Sequence, residues 1–159
     1  MAVSDDYKGK GRMVSLLSLR HEKETMEKVK VLVGWDDKNY SAAAEVNGVV
    51  VVTHRNLEEL KAVFEDAFRF HIEGSIKDGD PLPEAIKNGN YVLEYELQVS
   101  ALLHKYGNVL TRSALSQMTG INERQLGHYA RGTRALRPEQ RDRIVQGFHK
   151  LGRELLAVE

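Results

Sequence analysis

The sequence contains no cysteine, so disulfide bonds and metal sites built from thiolates are excluded. No apolar run reaches the ~20 residues that a membrane span requires, and the apolar residues 13–19 lack the layout of a secretory signal. There is no phosphate-cradling glycine loop, and the histidines from His54 onward show no ligand spacing. These absences predict a cytoplasmic protein that has no metal site, no cofactor and no membrane partner.

The formal net charge is zero, but the charges are unevenly distributed. Residues 29–100 carry thirteen acidic and seven basic side chains. Residues 101–159 carry five acidic and ten basic side chains, and eight of the ten are arginines. Opposite charge balances favour two domains with different partners, a nucleic acid for the basic half and a basic protein for the acidic half. Charge alone does not separate this interpretation from two inert surfaces.

The first half of the chain shows strand patterns. Apolar residues alternate in 29–35 and 40–46, which predicts two strands, each with one buried face. Asn47-Gly48 predicts a tight hairpin turn before a third strand at 49–52. Alternation returns at 91–97 and predicts a fourth strand.

A helix is predicted between the third and fourth strands. Asn56 can cap it, with Glu59 placed to return a bond to the amide of the cap, and apolar residues recur at helical spacing through about Glu73. Residues 74–90 contain several Pro, Gly, Asn and Asp residues and predict a loop. The order βββ-α-β predicts a small α+β layer with the helix on one face of the sheet.

The second half of the chain is predicted to be helical, with two short helices joined by a tight turn. Thr111 can cap the first helix at 112–119, Gly120 can end it, and Asn122 can cap the second helix at 123–131. Gly132 would close that second helix, in which Leu126 and Tyr129 point inward. This spacing is typical of a helix-turn-helix.

The outward positions of the second helix carry side chains that suit DNA. Arg and Gln can read guanine and adenine edges in the major groove, and basic residues just beyond the helix can contact phosphates. The outward positions are predicted to be Glu123, Arg124, Gln125, Gly127, His128 and Arg131. The predicted DNA-binding residues are Asn122, Glu123, Arg124, Gln125, His128, Arg131, Thr133, Arg134 and Arg137.

A last helix begins at Pro138. Its apolar stripe either packs within the subunit or pairs two subunits, as a palindromic operator would require; the stripe comprises Ile144, Val145, Phe148, Leu151, Leu155 and Leu156.

Residues 120–134, with the sequence GINERQLGHYARGTR, resemble the Xre/Cro-like helix-turn-helix family. The chain departs from that family at Ser116, where alanine is preferred, and at Gly127, a poor helix former. A helical hairpin with a purely structural role is the alternative interpretation.

The whole of Met26 to Val158 resembles HicB antitoxins. The segments that carry this resemblance are Tyr40-Ser41-Ala42, GVVVVT at 48–53, NLEEL at 56–60, FHIEG at 70–74, DPLP at 80–83, Tyr91 and VSALL at 99–103. The resemblance implies a degraded RNase H-like fold at 26–98 that neutralises a HicA-type, mRNA-cleaving toxin. It also implies an all-α helix-turn-helix domain at 99–159 that represses its own operon as a homodimer or homotetramer. Residues 1–25 are then a flexible leader, and the native start is either Met1 or Met26.

Exposed acidic residues are the candidates for binding a basic toxin, although a solvated acidic face is an alternative for each. They are Asp36 and Asp37 in the first turn and Glu58, Glu65 and Glu73 on the helix. A residual metal-dependent nuclease would need Asp36, Glu65 or Asp66, and Glu94 to converge. Because Asp36 lies in a turn-like polar run, we predict no catalysis. A stand-alone transcription regulator with a ligand-sensing first domain is the other open function.

Overall fold

The computed structural model of the protein describes residues 26–159, so the predicted leader at 1–25 and the choice of start lie outside the described residues. The fold is mixed α+β, with one four-stranded sheet followed by a helical half. The elements, labelled in chain order, are β1 (Glu27–Asp36), β2 (Asn39–Glu45), β3 (Val49–His54), α1 (Leu57–Asp78), α2 (Glu84–Lys87), β4 (Tyr91–Leu97), α3 (Val99–Lys105), α4 (Arg112–Thr119), α5 (Glu123–Ala130) and α6 (Pro138–Leu156).

The sheet has the strand order β3-β2-β1-β4. The first three strands form the predicted antiparallel meander, with Trp35 opposite Tyr40 and Tyr40 opposite His54. β4 returns beside β1 in the parallel direction, with Val31 opposite Tyr95. β3 and β4 are therefore the two edge strands.

Both tight turns of the meander depend on residues that tolerate positive φ. Asp37 in the first turn and Asn47 in the second each have φ of 45°, and Gly48 has φ of 114°. Asn and Asp enter this region more readily than other side chains because their short polar groups can bond locally, and Gly enters it freely. The Asn47-Gly48 prediction of a hairpin is confirmed.

The alternating residues of the four strands form one face of the sheet, on which α1 packs. Val29, Val31 and Val33 of β1 are buried there against Phe64 and Phe68 of α1. α1 packs chiefly over β3 and β2 and runs back along β3. The predicted helix on one sheet face is confirmed.

Two predicted boundaries around α1 are wrong. The helix continues past Glu73 to Asp78 and ends where Gly79 takes the left-handed conformation with φ of 76°. The predicted loop at 74–90 also contains α2, which buries Ile86, with the preceding Leu82 buried beside it. Polar turn residues suggested an early end, but Gly74 is tolerated inside the helix, and burial of Leu82 and Ile86 orders the segment.

The capping prediction for α1 is confirmed in one half and wrong in the other. Asn56 Oδ1 accepts bonds from the amides of Glu58 at 2.8 Å and Glu59 at 3.1 Å. The amide of Asn56 does not bind Glu59; it donates to His54 Nδ1 at 3.0 Å, and the carboxylate of Glu59 lies 3.1 Å from His54 Nε2. The histidine at the end of β3 is closer to the cap and takes the position predicted for the glutamate.

The helical half has its own apolar core, built around Leu115, Ile121, Leu126, Tyr129 and Ile144. α3 contributes to both cores. Ala101 is buried in the core between the sheet and α1, and Val99 and Leu103, also on α3, are buried in the core of the helical half. Within residues 26–159, no helix is long and apolar enough to cross a membrane.

Candidate nucleic-acid interface

α4 and α5 are two eight-residue helices held across a three-residue turn. Gly120 ends α4 with φ of 69°, as predicted, and Ile121 is buried between the helices. Thr119 Oγ1 donates to the Leu115 carbonyl at 2.7 Å and accepts from the Ile121 amide at 3.2 Å. These bonds use the end of α4 to hold Ile121, the middle residue of the turn, which fixes the chain just before the start of α5.

Both helices begin at the predicted caps. Thr111 Oγ1 accepts from the Ala114 amide at 3.2 Å, and Asn122 Oδ1 accepts from the Gln125 amide at 2.8 Å. Leu126 and Tyr129 of α5 are buried in the second core, also as predicted. Side-chain caps at both starts leave few unsatisfied amides in this small unit.

The surface of α5 and of the segment that follows it is positively charged. Arg124, Arg131, Arg134 and Arg137 are all exposed. Among residues 26–159, no carboxylate lies within ion-pair distance of any of these four guanidinium groups. Glu123, the acidic residue in the first turn of α5, is also exposed. Uncompensated arginines on one surface create a positive potential that attracts phosphates.

Besides Asn122, four of the predicted DNA-binding side chains bond within the protein. Gln125 Nε2 donates to Tyr129 Oη at 2.7 Å, which holds the partly buried amide along the helix. His128 Nδ1 lies 3.3 Å from an Arg131 guanidinium nitrogen, and the Thr133 hydroxyl donates to the His128 carbonyl at 3.2 Å. Arg124, like Glu123, Arg134 and Arg137, has no such contact among the described residues.

The prediction that Gly127 faces outward is wrong. Gly127 is buried, and a Cβ atom at this position would lie 3.3 Å from Nη1 and 3.4 Å from Cζ of Arg112. The guanidinium of Arg112, from the first turn of α4, thus crosses α5 at its one residue without a side chain. A glycine in mid-helix was the sequence signal for this close approach, but nothing local identifies the partner.

An aromatic cluster joins the sheet to the helical half. The rings of Trp35 at the end of β1 and His104 on α3 are stacked, with centroids 3.3 Å apart and planes 8° apart. Tyr40 packs edge-on against both rings. The amide of Trp35 also donates to Ser100 Oγ at 3.0 Å. Burial in this cluster lowers the pKa of His104 and raises the pKa of Tyr40.

The first turn of the sheet touches the end of α5. The amide of Asp37 donates to the Arg131 carbonyl at 3.0 Å. A Cβ atom on Gly132 would lie 2.5 Å from the Trp35 carbonyl oxygen, so the two backbones meet here without room for a side chain. The sequence indicated neither contact, because residues 35–37 and 131–132 are far apart in the chain and carry no pairing signal.

The acidic residues predicted to bind a toxin fall into two groups. Asp36 and Asp37 are exposed at the first turn, beside the end of α5. Glu58, Glu65 and Glu73 are exposed along one side of α1. Glu65 acts on Tyr95 of β4: burial raises the pKa of Tyr95 to about 12, and the negative charge of Glu65 adds to this effect. The structure therefore does not bring all five carboxylates together.

The carboxylates of the imagined nuclease site also do not converge. Glu94 pairs with Lys28 on the open face of the sheet, whereas Glu65 and Asp66 lie on α1, across the sheet. In the part of the chain from Met26 onward, no three His, Asp or Glu side chains are grouped to hold a metal ion.

A cavity of about 580 Å³ lies between the sheet and the helical half. Trp35, Tyr40 and His104 form its aromatic wall, and the basic residues Lys105, Arg112 and Arg131 line it together with the acidic Asp37. The mixture of flat rings and guanidinium groups could accept a small anionic molecule.

Comparison of the chain with protein-family models, with curated proteins and with solved structures found no match. The resemblance to HicB antitoxins accordingly rests on the residues quoted for it above and enters as a proposal.

Proposed function

We propose that this protein is a HicB-type antitoxin and repressor, with a helix-turn-helix formed by α4 and α5 and a degraded RNase H-like domain formed by the sheet and α1. The observation that carries the DNA-binding half is the exposed Arg124, which has no ion-pair partner among residues 26–159, on the first turn of a helix that is capped by Asn122 and anchored by Leu126 and Tyr129. A helix held in this way can enter a major groove with its N-terminal residues toward the bases.

The arginines have separate roles in this proposal. Arg124 lies on α5 and reads a base edge, whereas Arg134 and Arg137, which lie in the segment between α5 and α6, contact phosphates. Gln125 would have to leave Tyr129 to read a base, so it contributes less than Arg124. The guanidinium of Arg112 packs against α5 at Gly127, so Arg112 is a residue that positions α5.

An operator-binding assay tests the DNA half. The Arg124→Ala change is expected to cost about 1–3 kcal/mol on the preferred site and to reduce discrimination between that site and random duplexes. The Arg134→Ala change is expected to weaken binding to both duplexes equally and to flatten the dependence of affinity on salt. Fluorescence anisotropy with DNA from upstream of the gene, at several salt concentrations, measures both effects. Unchanged binding in both variants would falsify the assignment.

The apolar end of α6 supports self-association of the proposed repressor. Ile144 is buried within the subunit, but Leu155 and Leu156 are 63% and 88% exposed. A second subunit that covered these leucines would present two copies of α5 to a palindromic operator.

The proposal that the protein binds a toxin rests on the acidic side of α1, where Glu58, Glu65 and Glu73 are exposed. Complementary charge would speed the encounter with a basic toxin. Co-expression with a neighbouring small basic reading frame, followed by pull-down, tests this proposal. We expect capture by the wild-type chain and reduced capture when the three glutamates are changed to lysine. Changing Glu45, Glu84 and Glu139 to lysine adds the same charge elsewhere and is the matched control.

A second function, a ligand-sensing regulator, is favoured by the cavity beside α5. A small anion bound between Arg112 and Arg131 would stabilise the folded protein by mass action. A rise in Tm with an anionic metabolite, lost in Arg112→Ala, combined with no toxin capture, would favour this function over the antitoxin.

A further inference from the structure

A second cavity, of about 550 Å³, lies where the open face of the sheet meets the helical half. The open face is the one opposite α1, and Leu32 of β1 lies on it and is 39% exposed. Leu102 of α3, Leu136 and Val145 of α6 line the cavity from the helical half and are half-buried. These aliphatic side chains form an apolar lining but leave space for a small organic molecule.

Two arginines line the same cavity, and neither is held by a close ion pair. Arg134 has no carboxylate within ion-pair distance among residues 26–159, and Arg141 has only that of Asp142, at 4.0 Å. Glu96, the one acidic residue of the lining, pairs instead with Lys30 of β1. The lining therefore carries an excess of positive charge, which attracts an anion.

The uncharged polar groups of the lining offer further hydrogen-bond donors. Ser100 Oγ accepts a bond from the Trp35 amide at 3.0 Å, but the Ser100 hydroxyl donates to no acceptor among residues 26–159. The side-chain amide of Gln98 makes no hydrogen bond within the described part of the chain. Together with the two guanidinium groups, these donors suit a ligand that presents acceptor oxygens.

Gly34 explains why the polar groups are gathered at one place. A Cβ atom at Gly34 would lie 2.9 Å from Gln98 Oε1 and 3.8 Å from Ser100 Oγ. The side chain of Gln98 therefore lies against the backbone of β1 at the one glycine of that strand. Gly34 is two residues from Leu32 on the same face of the sheet, so polar and apolar parts of the lining adjoin each other.

We propose that this cavity binds an aliphatic carboxylate of medium chain length. The carboxylate lies on Arg134 and Arg141, because a guanidinium group matches a carboxylate through two parallel hydrogen bonds. The hydrocarbon chain lies against Leu32, Leu102 and Val145, which removes apolar surface from water on both partners. The site is separate from the aromatic cavity beside α5, with whose lining it shares only Trp35.

The bound carboxylate competes with operator DNA, and this consequence rests on the proposed function. Arg134 is one of the proposed phosphate contacts, and Tyr129 of α5 and Gly132 just beyond it also line the cavity. A carboxylate that holds Arg134 takes this guanidinium group away from the DNA phosphate. By reciprocity, operator DNA weakens the binding of the carboxylate by the same factor.

The fluorescence of Trp35 reports occupancy, because it is the only tryptophan of the chain and lines the cavity. Octanoate, added to the full chain without DNA, is expected to change this fluorescence saturably. Octan-1-ol has the hydrocarbon chain without the carboxylate, and acetate has the carboxylate without the chain. Each is expected to bind about tenfold more weakly than octanoate, since it lacks either the charge-assisted hydrogen bonds or the apolar burial.

Variants of the lining locate the site. Arg141→Ala is expected to weaken octanoate binding about tenfold. Ala135→Phe places a ring in the cavity at an exposed position and is expected to abolish binding. Arg143→Ala removes the same charge from α6 outside the lining, and Lys105→Ala removes a charge from the aromatic cavity. Both controls are expected to keep the wild-type affinity, and circular dichroism establishes that each variant is folded.

Four results would overturn the inference. The first two are the absence of saturable octanoate binding and equal binding of octan-1-ol. The third is an equal loss of affinity in Arg143→Ala and Arg141→Ala, which would reveal a general effect of charge. The fourth is a loss confined to Lys105→Ala, which would move the ligand to the aromatic cavity.

Fluorescence anisotropy of labelled operator DNA tests the competition separately. Saturating octanoate is expected to weaken operator binding several-fold in the wild-type chain and to have no effect on the Ala135→Phe variant. Octanoate that binds the protein without weakening the operator complex overturns the competition. A chain that binds octanoate but no operator DNA contradicts the proposed function and leaves the carboxylate site standing, so the two failures are distinguishable.

Discussion

Gly132 shows how a single residue can join two parts of the chain. It follows the end of α5 with φ of 69°, and a Cβ atom at this position would meet the Trp35 carbonyl oxygen. Gly120 has the same φ but open space around it. Backbone conformation requires glycine at both positions, whereas the close approach exists only at Gly132.

The comparison of these two glycines gives a prediction. Each change to alanine places a side chain in the left-handed region and should cost about 1–3 kcal/mol in strain. Gly132→Ala should be the more destabilising, because its Cβ would also lie 2.5 Å from the Trp35 oxygen. Urea unfolding of both variants measures the difference. Equal losses would show that the backbones at Trp35 and Gly132 separate without cost.

At the scale of the element, α5 is a short helix whose stability depends on its ends and on its neighbours. It has only eight residues, below the length at which an isolated helix persists in water. Asn122 caps its start, and the guanidinium of Arg112 fills the space beside Gly127. The exposed residues of α5 are therefore positioned by the cap, by Arg112 and by the burial of Leu126 and Tyr129.

The cap of α5 can be separated from its proposed contact with DNA. Asn122→Ala should cost about 1 kcal/mol of stability, because the Gln125 amide loses its acceptor. Asn122→Asp should keep wild-type stability, since aspartate caps equally well. It should nevertheless weaken operator binding, because it places a negative charge beside the phosphates. Thermal unfolding and anisotropy on the two variants check this pair of outcomes, and wild-type DNA affinity in Asn122→Asp would contradict it.

At the scale of the whole molecule, the two cores are joined by α3 and by the stack of His104 on Trp35. Ala101 belongs to the core under the sheet, and Leu103 to the core of the helices. The stack, the Ser100 bond to Trp35 and the Asp37 bond to Arg131 all cross the same junction. The orientation of α5 relative to the sheet follows from these contacts.

The junction should make stability depend on pH. Because burial lowers the pKa of His104 in the folded protein, the neutral ring is favoured there, and folding loses free energy as the pH falls below the unfolded value of about 6.5. The Tm should therefore decrease between about pH 8 and about pH 5, and His104→Phe, which can keep a ring on Trp35, should reduce that decrease. His149→Phe, at an exposed position on α6, is the control. An undiminished pH effect in His104→Phe would contradict the assignment.

Local chemistry determined much of this protein from its sequence. Alternating apolar residues defined β1, β2 and β4, and a valine run defined β3. Asn47-Gly48 defined the hairpin, Thr111 and Gly120 defined the two ends of α4, and Asn122 defined the start of α5. Each of these signals acts over a few residues, so one sequence is sufficient to read them. The predicted end of α1 was wrong because the glycine, proline and polar residues after Glu73 indicated a loop, whereas the helix continues to Asp78.

Only the tertiary structure decided which distant residues meet. Three contacts join segments that carry no local pairing signal: the stack of Trp35 on His104, the approach of Arg112 to Gly127 and the contact of Trp35 with Gly132. Their physical basis is burial and close backbone approach, which depend on how the chain returns upon itself. A sequence pattern records which residues can be buried, but the packed fold selects their partners.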